Sequence, residues 1–316
     1  MAGTFFPKAV LLAGASMLAM VAVADEARAV VFDFTGSEVT YTIPTTGHYD
    51  IAALGAQGGT SSLGGSFGAS GGLGAEAGGV LSLTAGTTLM IFVGGEGGSG
   101  ALGDFVAGGG GGGSFVFEGG SLLAAAGGGG GAGLTSTVPG LPGLAGTSGG
   151  NGQDVHGGAG GANGNGGQSG ISDMAVGGGG GGVLSAGGSN FAHASGEPGD
   201  AIPPGTGGLG LAGGVIGGDG GFGGGGGGGG AGGGGGGGYS GGGGGSGDVP
   251  ISGGGGGGSF LLADFTDQSL TSGINSGNGL VSIAIVPEAS TWAMMLSGFA
   301  SLGALAFLRR RKPTPA

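Results

Sequence analysis

Unbroken glycine runs set the limits on what this chain can fold into. Glycine fills 108–113, 127–131 and 177–182 without interruption, and it dominates 217–238 and 241–258. A residue without Cβ brings almost no side chain to bury. It also loses more backbone freedom on ordering than any other residue, with about 1–2 kcal/mol at stake for each fixed backbone. No ordinary apolar core can be assembled from such segments. Collagen is excluded as well, because it needs glycine at every third position and abundant proline, whereas the 102 glycines here form solid runs beside only 11 prolines.

Two outcomes stay open for these runs. Disorder is the default for low-complexity sequence that cannot offset its ordering entropy. The alternative is a bundle of extended threefold helices, rising about 3.1 Å per residue, whose N–H and C=O groups bond between neighbouring segments. Only glycine lets backbones approach that closely. An eight-residue run would reach about 25 Å at that rise, comparable to the length of a β-sandwich.

Outside the runs, the pattern is that of short strands. Val30–Phe34, Val39–Ile43, His48–Leu54, Val80–Thr84, Thr88–Val93, Ser114–Glu118, Ser121–Ala126, Ser259–Phe265 and Leu280–Val286 are rich in β-branched or aromatic residues, or alternate in polarity. Turn signals separate them: Pro44-Thr45-Thr46-Gly47, Ala85-Gly86 and Gly119-Gly120. With no amphipathic helix between them, these strands predict an all-β sandwich over residues 30–286, with 132–253 as a low-complexity glycine insert.

Charge narrows the function classes. The chain carries six Lys and Arg, 18 Asp and Glu and a net charge of −12. Every cation lies near an end: Lys8, Arg28, Arg309, Arg310, Arg311 and Lys312. Removing Asp25, Glu26 and Glu288 from the 18 acids leaves 15 on residues 30–286, with no cation among them. Such a surface repels phosphate and lacks the cations that release counterions, so no nucleic-acid partner is expected. The chain has no cysteine, which removes disulfides, thiolate zinc sites and thiol catalysis.

The ends read as addresses. One positive charge at Lys8, an apolar run from Ala9 to Ala24 and a small-residue exit make residues 1–29 a secretory signal helix. Cleavage is expected after Ala29, with Ala24 as the alternative. At the other end, residues 287–316 hold Pro287-Glu288-Ala289, then Trp292, an apolar stretch over 292–308 and the basic cluster Arg309, Arg310, Arg311 and Lys312. Seventeen residues of helix would span about 26 Å at about 1.5 Å per residue, enough to approach a hydrocarbon core of about 30 Å. Trp292 suits the outer interface and the basic cluster the cytoplasmic side.

The order of motif, membrane helix and basic end resembles the PEP-CTERM sorting signal of Gram-negative bacteria, over about the last 30 residues. That resemblance implies processing by a membrane protease-transpeptidase, the exosortase, and transfer from the inner membrane toward the envelope or extracellular matrix. Ala289 stands where the family has a second proline.

A second resemblance covers residues 30–131 and, loosely, 254–286. Tyr41–Gly59, Leu83–Gly95, the Gly108–Phe117 run and Leu122–Gly131 resemble the glycine-rich domain of the anaplastic lymphoma kinase and leukocyte tyrosine kinase receptors. It implies a tumour-necrosis-factor-like β-sandwich carrying inserts of packed polyglycine helices. No kinase follows, and residues 132–253 match in composition alone, so the resemblance implies a fold and no ligand.

Catalytic patterns are missing. A P-loop needs Gly-Lys-Ser/Thr, and the glycine region has no lysine. His48, His156 and His193 are too widely separated for a metal-binding pair, and His48 alternates with Asp50 as on a solvated strand face. Gly217–Phe222 approaches a calcium-binding repeat without recurring, which leaves Asp219 and Asp248 as solubilising residues. The expectation is a non-enzymatic exported protein with no cofactor, no metal and no catalytic residue. Its role would be structural or adhesive, through self-association or extracellular polysaccharide, with glycan or protein binding as the alternative. Its processing partners would be signal peptidase and an exosortase-like enzyme.

Overall fold

A computed structural model describes residues 29–100, 105–172, 175–190, 195–211, 217–287 and 297–303. The strands are β1 (Val30–Asp33), β2 (Val39–Thr42), β3 (Gly47–Leu54), β4 (Ser62–Leu63), β5 (Gly74–Leu83), β6 (Thr88–Phe92), β7 (Phe105–Val106), β8 (Ser114–Glu118), β9 (Ser121–Ala126), β10 (Phe260–Leu261), β11 (Thr266–Asn275) and β12 (Leu280–Val286). The protein is mainly β. One five-stranded sheet runs β1-β12-β3-β5-β11 and another β10-β9-β8-β6-β2, all pairs antiparallel, while β4 and β7 form a small ribbon.

Alternation decides which face of each strand is covered. On β3, Tyr49, Ile51 and Ala53 are buried while His48 and Asp50 are exposed. They join Leu89, Ile91 and Val116 from the second sheet and Val281 and Ile283 from β12 in one core between the sheets. Each such side chain contributes about 1.5–3 kcal/mol on burial. On β6 the intervening Met90 and Phe92 face the other way, into a second cluster with Phe115, Phe117 and Ile202. The glycine insert supplies the lid of that cluster through Val183, Ile202, Phe222 and Tyr239. The hairpin between β8 and β9 turns on Gly119 and Gly120, with φ of 53° and 89°, the left-handed pair a two-residue turn demands.

The strands depart from the sequence reading at several places: the two-residue β4 and β7 are additional to it, and three larger differences stand out. β5 starts at Gly74 rather than Val80 because the small residues Gly74, Ala75, Ala77, Gly78 and Gly79 run between β3 and β11. Expected strand Ser259–Phe265 shrinks to β10 and is followed by a turn at 263–264. β11 was not expected. Its sequence, TDQSLTSGIN, is exposed almost throughout and shows no apolar alternation, because it is an edge strand held by its ladder to β5.

The glycine runs are ordered, and their hydrogen bonds have a period of three. The N–H groups of Gly108, Gly109 and Gly110 donate to the carbonyls of Ala132, Gly98 and Gly226; those of Gly111, Gly112 and Gly113 donate to Gly129, Gly95 and Gly223 on the same three neighbours. The carbonyls of Gly108 and Gly111 accept from Gly234 and Gly237, those of Gly109 and Gly112 from Gly59 and Ala56, and that of Gly110 from Gly221. The run is thus enclosed by six neighbours, as expected for threefold extended helices packed hexagonally. Runs 127–132 and 233–238 have the same arrangement. This satisfies the backbone groups that a buried, side-chain-free segment would otherwise leave orphaned.

Position in this lattice explains where glycine is unbroken. The enclosed segments 108–113, 127–132, 177–182, 223–229, 233–238, 241–245 and 253–258 are buried throughout. A Cβ on Gly111 would lie 2.4 Å from the Ala56 carbonyl oxygen, and one on Gly236 2.3 Å from that of Gly128. Segments on the perimeter carry an outward side chain at every third position: Ala159 and Ala162, Asn165, Gln168 and Ile171, Glu197 and Asp200, Thr206 and Leu209, all exposed. Asp219, one of the expected solubilising residues, has a specific task in this rim. Its Oδ1 accepts the Gly210 N–H at 2.7 Å.

Buried serines join the two regions. Ser114 Oγ accepts the Gly94 N–H at 3.0 Å and donates to the Leu54 carbonyl at 2.6 Å. Ser259 Oγ accepts the Gly127 N–H at 3.0 Å. Each sits where a strand passes into, or out of, a glycine helix.

Candidate functional site

The recess with the most chemistry lies where the glycine bundle meets the second sheet. Two glycine helices, 217–221 and 223–229, meet at Phe222. The Phe222 carbonyl is fixed by the Gly95 N–H at 2.8 Å. Its ring stacks on Phe92 with centroids 6.4 Å apart and meets Phe34 at 6.4 Å. Phe92 is nearly inaccessible, at 2% exposure, and is held edge-on by Phe117 at 5.9 Å. The floor is therefore a rigid aromatic ladder anchored in β6 and β8.

Around this floor is an open groove of about 540 Å³, lined also by Gly36, Ser37, Glu38, Pro203, Pro204 and Thr206. Glu38 lies in the turn before β2 and is exposed. Thr206 donates its hydroxyl to Asp200, and the Ser37 hydroxyl pairs with that of Thr35 at 3.2 Å. The rim is acidic and rich in acceptors.

A second polar grouping sits on the outer face of the first sheet. His48 Nδ1 lies 2.9 Å from Ser82 Oγ on the paired strand. Both are exposed, as is Asp50. Nucleophilic catalysis needs such a pair beside oxyanion donors in a sheltered site; this pair lies on an open sheet face, as the alternation of His48 with Asp50 implied. His156, also exposed, lies 3.9 Å from Asp154. No group of three or more His, Cys, Asp or Glu able to hold a metal occurs among the described residues.

The sequence-derived processing residues are only partly covered. Ala29 is exposed and stands immediately before β1, so the expected cleavage would leave the first strand intact. Pro287 is exposed directly after β12. Ala24, Glu288, Trp292, Arg309, Arg310, Arg311 and Lys312 lie outside the described residues, as does His193. Within the expected membrane helix 292–308, residues 297–303 are helical. Among the described residues no helix is long and apolar enough to cross a membrane.

Sequence reasoning did not find the groove, since its residues come from 34–38, 92, 203–206 and 222 and carry no motif. The one available signal was Phe222, a lone aromatic inside a glycine run. No protein-family model and no curated protein matches the chain.

Proposed function

We propose that the protein is exported and serves a structural or adhesive role in the envelope or extracellular matrix of a Gram-negative bacterium. The observation that supports this best is the enclosed glycine bundle, a stiff insert whose backbone groups bond to one another. A scaffold benefits from such stiffness and from resistance to cleavage. Between Arg28 and Arg309 there is no Lys or Arg for a trypsin-like protease to recognise. In this reading the two-sheet body is the tumour-necrosis-factor-like sandwich implied by the receptor resemblance, and the protein performs no catalysis.

The route follows from the two ends. Signal peptidase removes residues 1–29, the tail is held in the inner membrane through 292–308, and an exosortase-like enzyme acts at the Pro287-Glu288 motif. The test is to fractionate host cells, membranes and matrix and measure the mature C-terminus by intact mass. Loss of the segment beyond about Pro287 in the matrix fraction is the expected result. An intact tail retained in the membrane would overturn the sorting route.

A second reading is favoured by the groove: a module that binds glycan through Phe222 and its acidic rim. Aromatic ring faces flanked by hydrogen-bonding groups are the usual make-up of a small-ligand recess.

A further inference from the structure

The side chains lining the groove offer hydrogen-bond acceptors and no free donor. The two hydroxyls on its rim are already engaged, Thr206 with Asp200 and Ser37 with Thr35. Pro203 and Pro204 have no N–H to give. Glu38 is exposed, and its carboxylate has no hydrogen-bond or ion-pair partner among the described residues. A ligand that satisfies these side chains must bring its own donors.

Charge selects further. No Lys or Arg occurs between Arg28 and Arg309, whereas Glu38, Asp200 and Asp219 all fall within that span. An anionic ligand meets only repulsion here. A neutral sugar gains stacking on Phe222 but leaves Glu38 without a counter-charge. A ring that carries an ammonium group gains both, since the positive edge and C–H face of the sugar meet the negative face of the arene while N–H donors reach the carboxylate. The recess is open and has the stacked rings of Phe92 and Phe222 in its lining, which suits a pyranose ring better than the flexible stem of a lysine.

We propose that this groove binds a cationic amino-sugar polymer, with a pyranose ring stacked on Phe222 and its ammonium group paired with Glu38. The proposal rests on the glycan-binding reading above and specifies its ligand class. It also supplies a means of adhesion: an acidic protein with no Lys or Arg between Arg28 and Arg309 would be held to a positively charged polysaccharide, and released as pH rises through the amine pKa.

The test is calorimetric titration of the full chain with three probes: a glucosamine hexamer, an N-acetylglucosamine hexamer and hexalysine. The glucosamine hexamer binds, and the acetylated hexamer is weaker by about tenfold or more, because acetylation removes the charge and two donors. Glu38→Gln weakens glucosamine binding about fivefold, and Phe222→Leu does likewise through loss of the ring face. Asp50→Asn, an exposed acid on the outer face of the first sheet, leaves it within about twofold. Equal binding of both hexamers overturns the cationic ligand while sustaining a glycan site. Absence of binding by either hexamer overturns the glycan reading and this proposal together. Hexalysine binding as tightly as the glucosamine hexamer overturns the sugar assignment in favour of a basic peptide. Equal losses from Glu38→Gln and Asp50→Asn overturn the groove as the site.

Discussion

The two halves of this molecule follow opposite packing rules. In the two-sheet body, side chains of alternate residues fill the space between layers, so removing atoms destabilises. In the glycine bundle the backbones themselves are in contact, so adding atoms destabilises. Ile51 and Gly111 illustrate the contrast. Ile51 is wholly buried among Tyr49, Leu89 and Ile283 in the shared core, while Gly111 is wholly enclosed by carbonyl oxygens. Both regions place their polar backbone groups in hydrogen bonds, with period two in one and period three in the other.

Substitutions chosen by these rules should separate the regions. Ile51→Ala leaves a cavity between the sheets and is expected to cost about 2–5 kcal/mol in denaturant unfolding. Gly111→Ala forces a methyl group against the Ala56 and Gln57 carbonyls, 2.4 and 2.5 Å from the new carbon. Overpacking of this kind costs about 1–3 kcal/mol, and more where rigid backbone must shift. If Gly111→Ala were as benign as a surface change, the lattice would not be close-packed. The comparison is sharpened by Gly146→Ala, where an added carbon meets nothing within 4 Å. There the substitution should be neutral or stabilise by about 0.4–1 kcal/mol through the unfolded chain.

The junction provides an intermediate case. Ser114→Ala removes the acceptor of the Gly94 N–H and the donor to the Leu54 carbonyl. The buried Gly94 N–H and the half-buried Leu54 carbonyl lose this partner, for an expected loss of about 1–3 kcal/mol. The loss should appear in thermal unfolding of both regions at once if the serine couples them.

The smallest effect belongs to the two-sheet body alone. Burial, with Tyr49 adding to it, raises the Tyr41 phenol above the usual range. A raised phenol pKa means that the unfolded chain loses this proton first as pH increases. The stabilising contribution is complete below the unfolded phenol pKa and fades as pH rises through the folded one. Unfolding measured across the alkaline range should therefore show a decline that Tyr41→Phe reduces.

Much of the two-sheet body was legible because side chains alternate along it. Val39–Thr42, Thr88–Phe92 and Leu280–Val286 carry their burial in their sequence, whereas Ser114–Glu118 is buried on both faces. β11 was illegible because an exposed edge strand needs no apolar face. The bundle left its own signal, which a search for periods of two and 3.6 does not detect. Asn165-Gly-Gly-Gln168, Thr206-Gly-Gly-Leu209 and Asp219-Gly-Gly-Phe222 repeat every third residue, and these are the perimeter. Unbroken glycine is the interior. The groove could not be read because Glu38, Phe92, Pro203 and Phe222 meet only once the insert folds back over the second sheet.

The ordered glycine bundle is the central claim, and amide hydrogen exchange followed by intact mass tests it most directly. If the runs are enclosed and hydrogen-bonded, their amides exchange slowly, and the protected population far exceeds what the β-strands supply. Exchange of the glycine amides at the rate of an unfolded chain, with protection limited to the strands, would contradict the account.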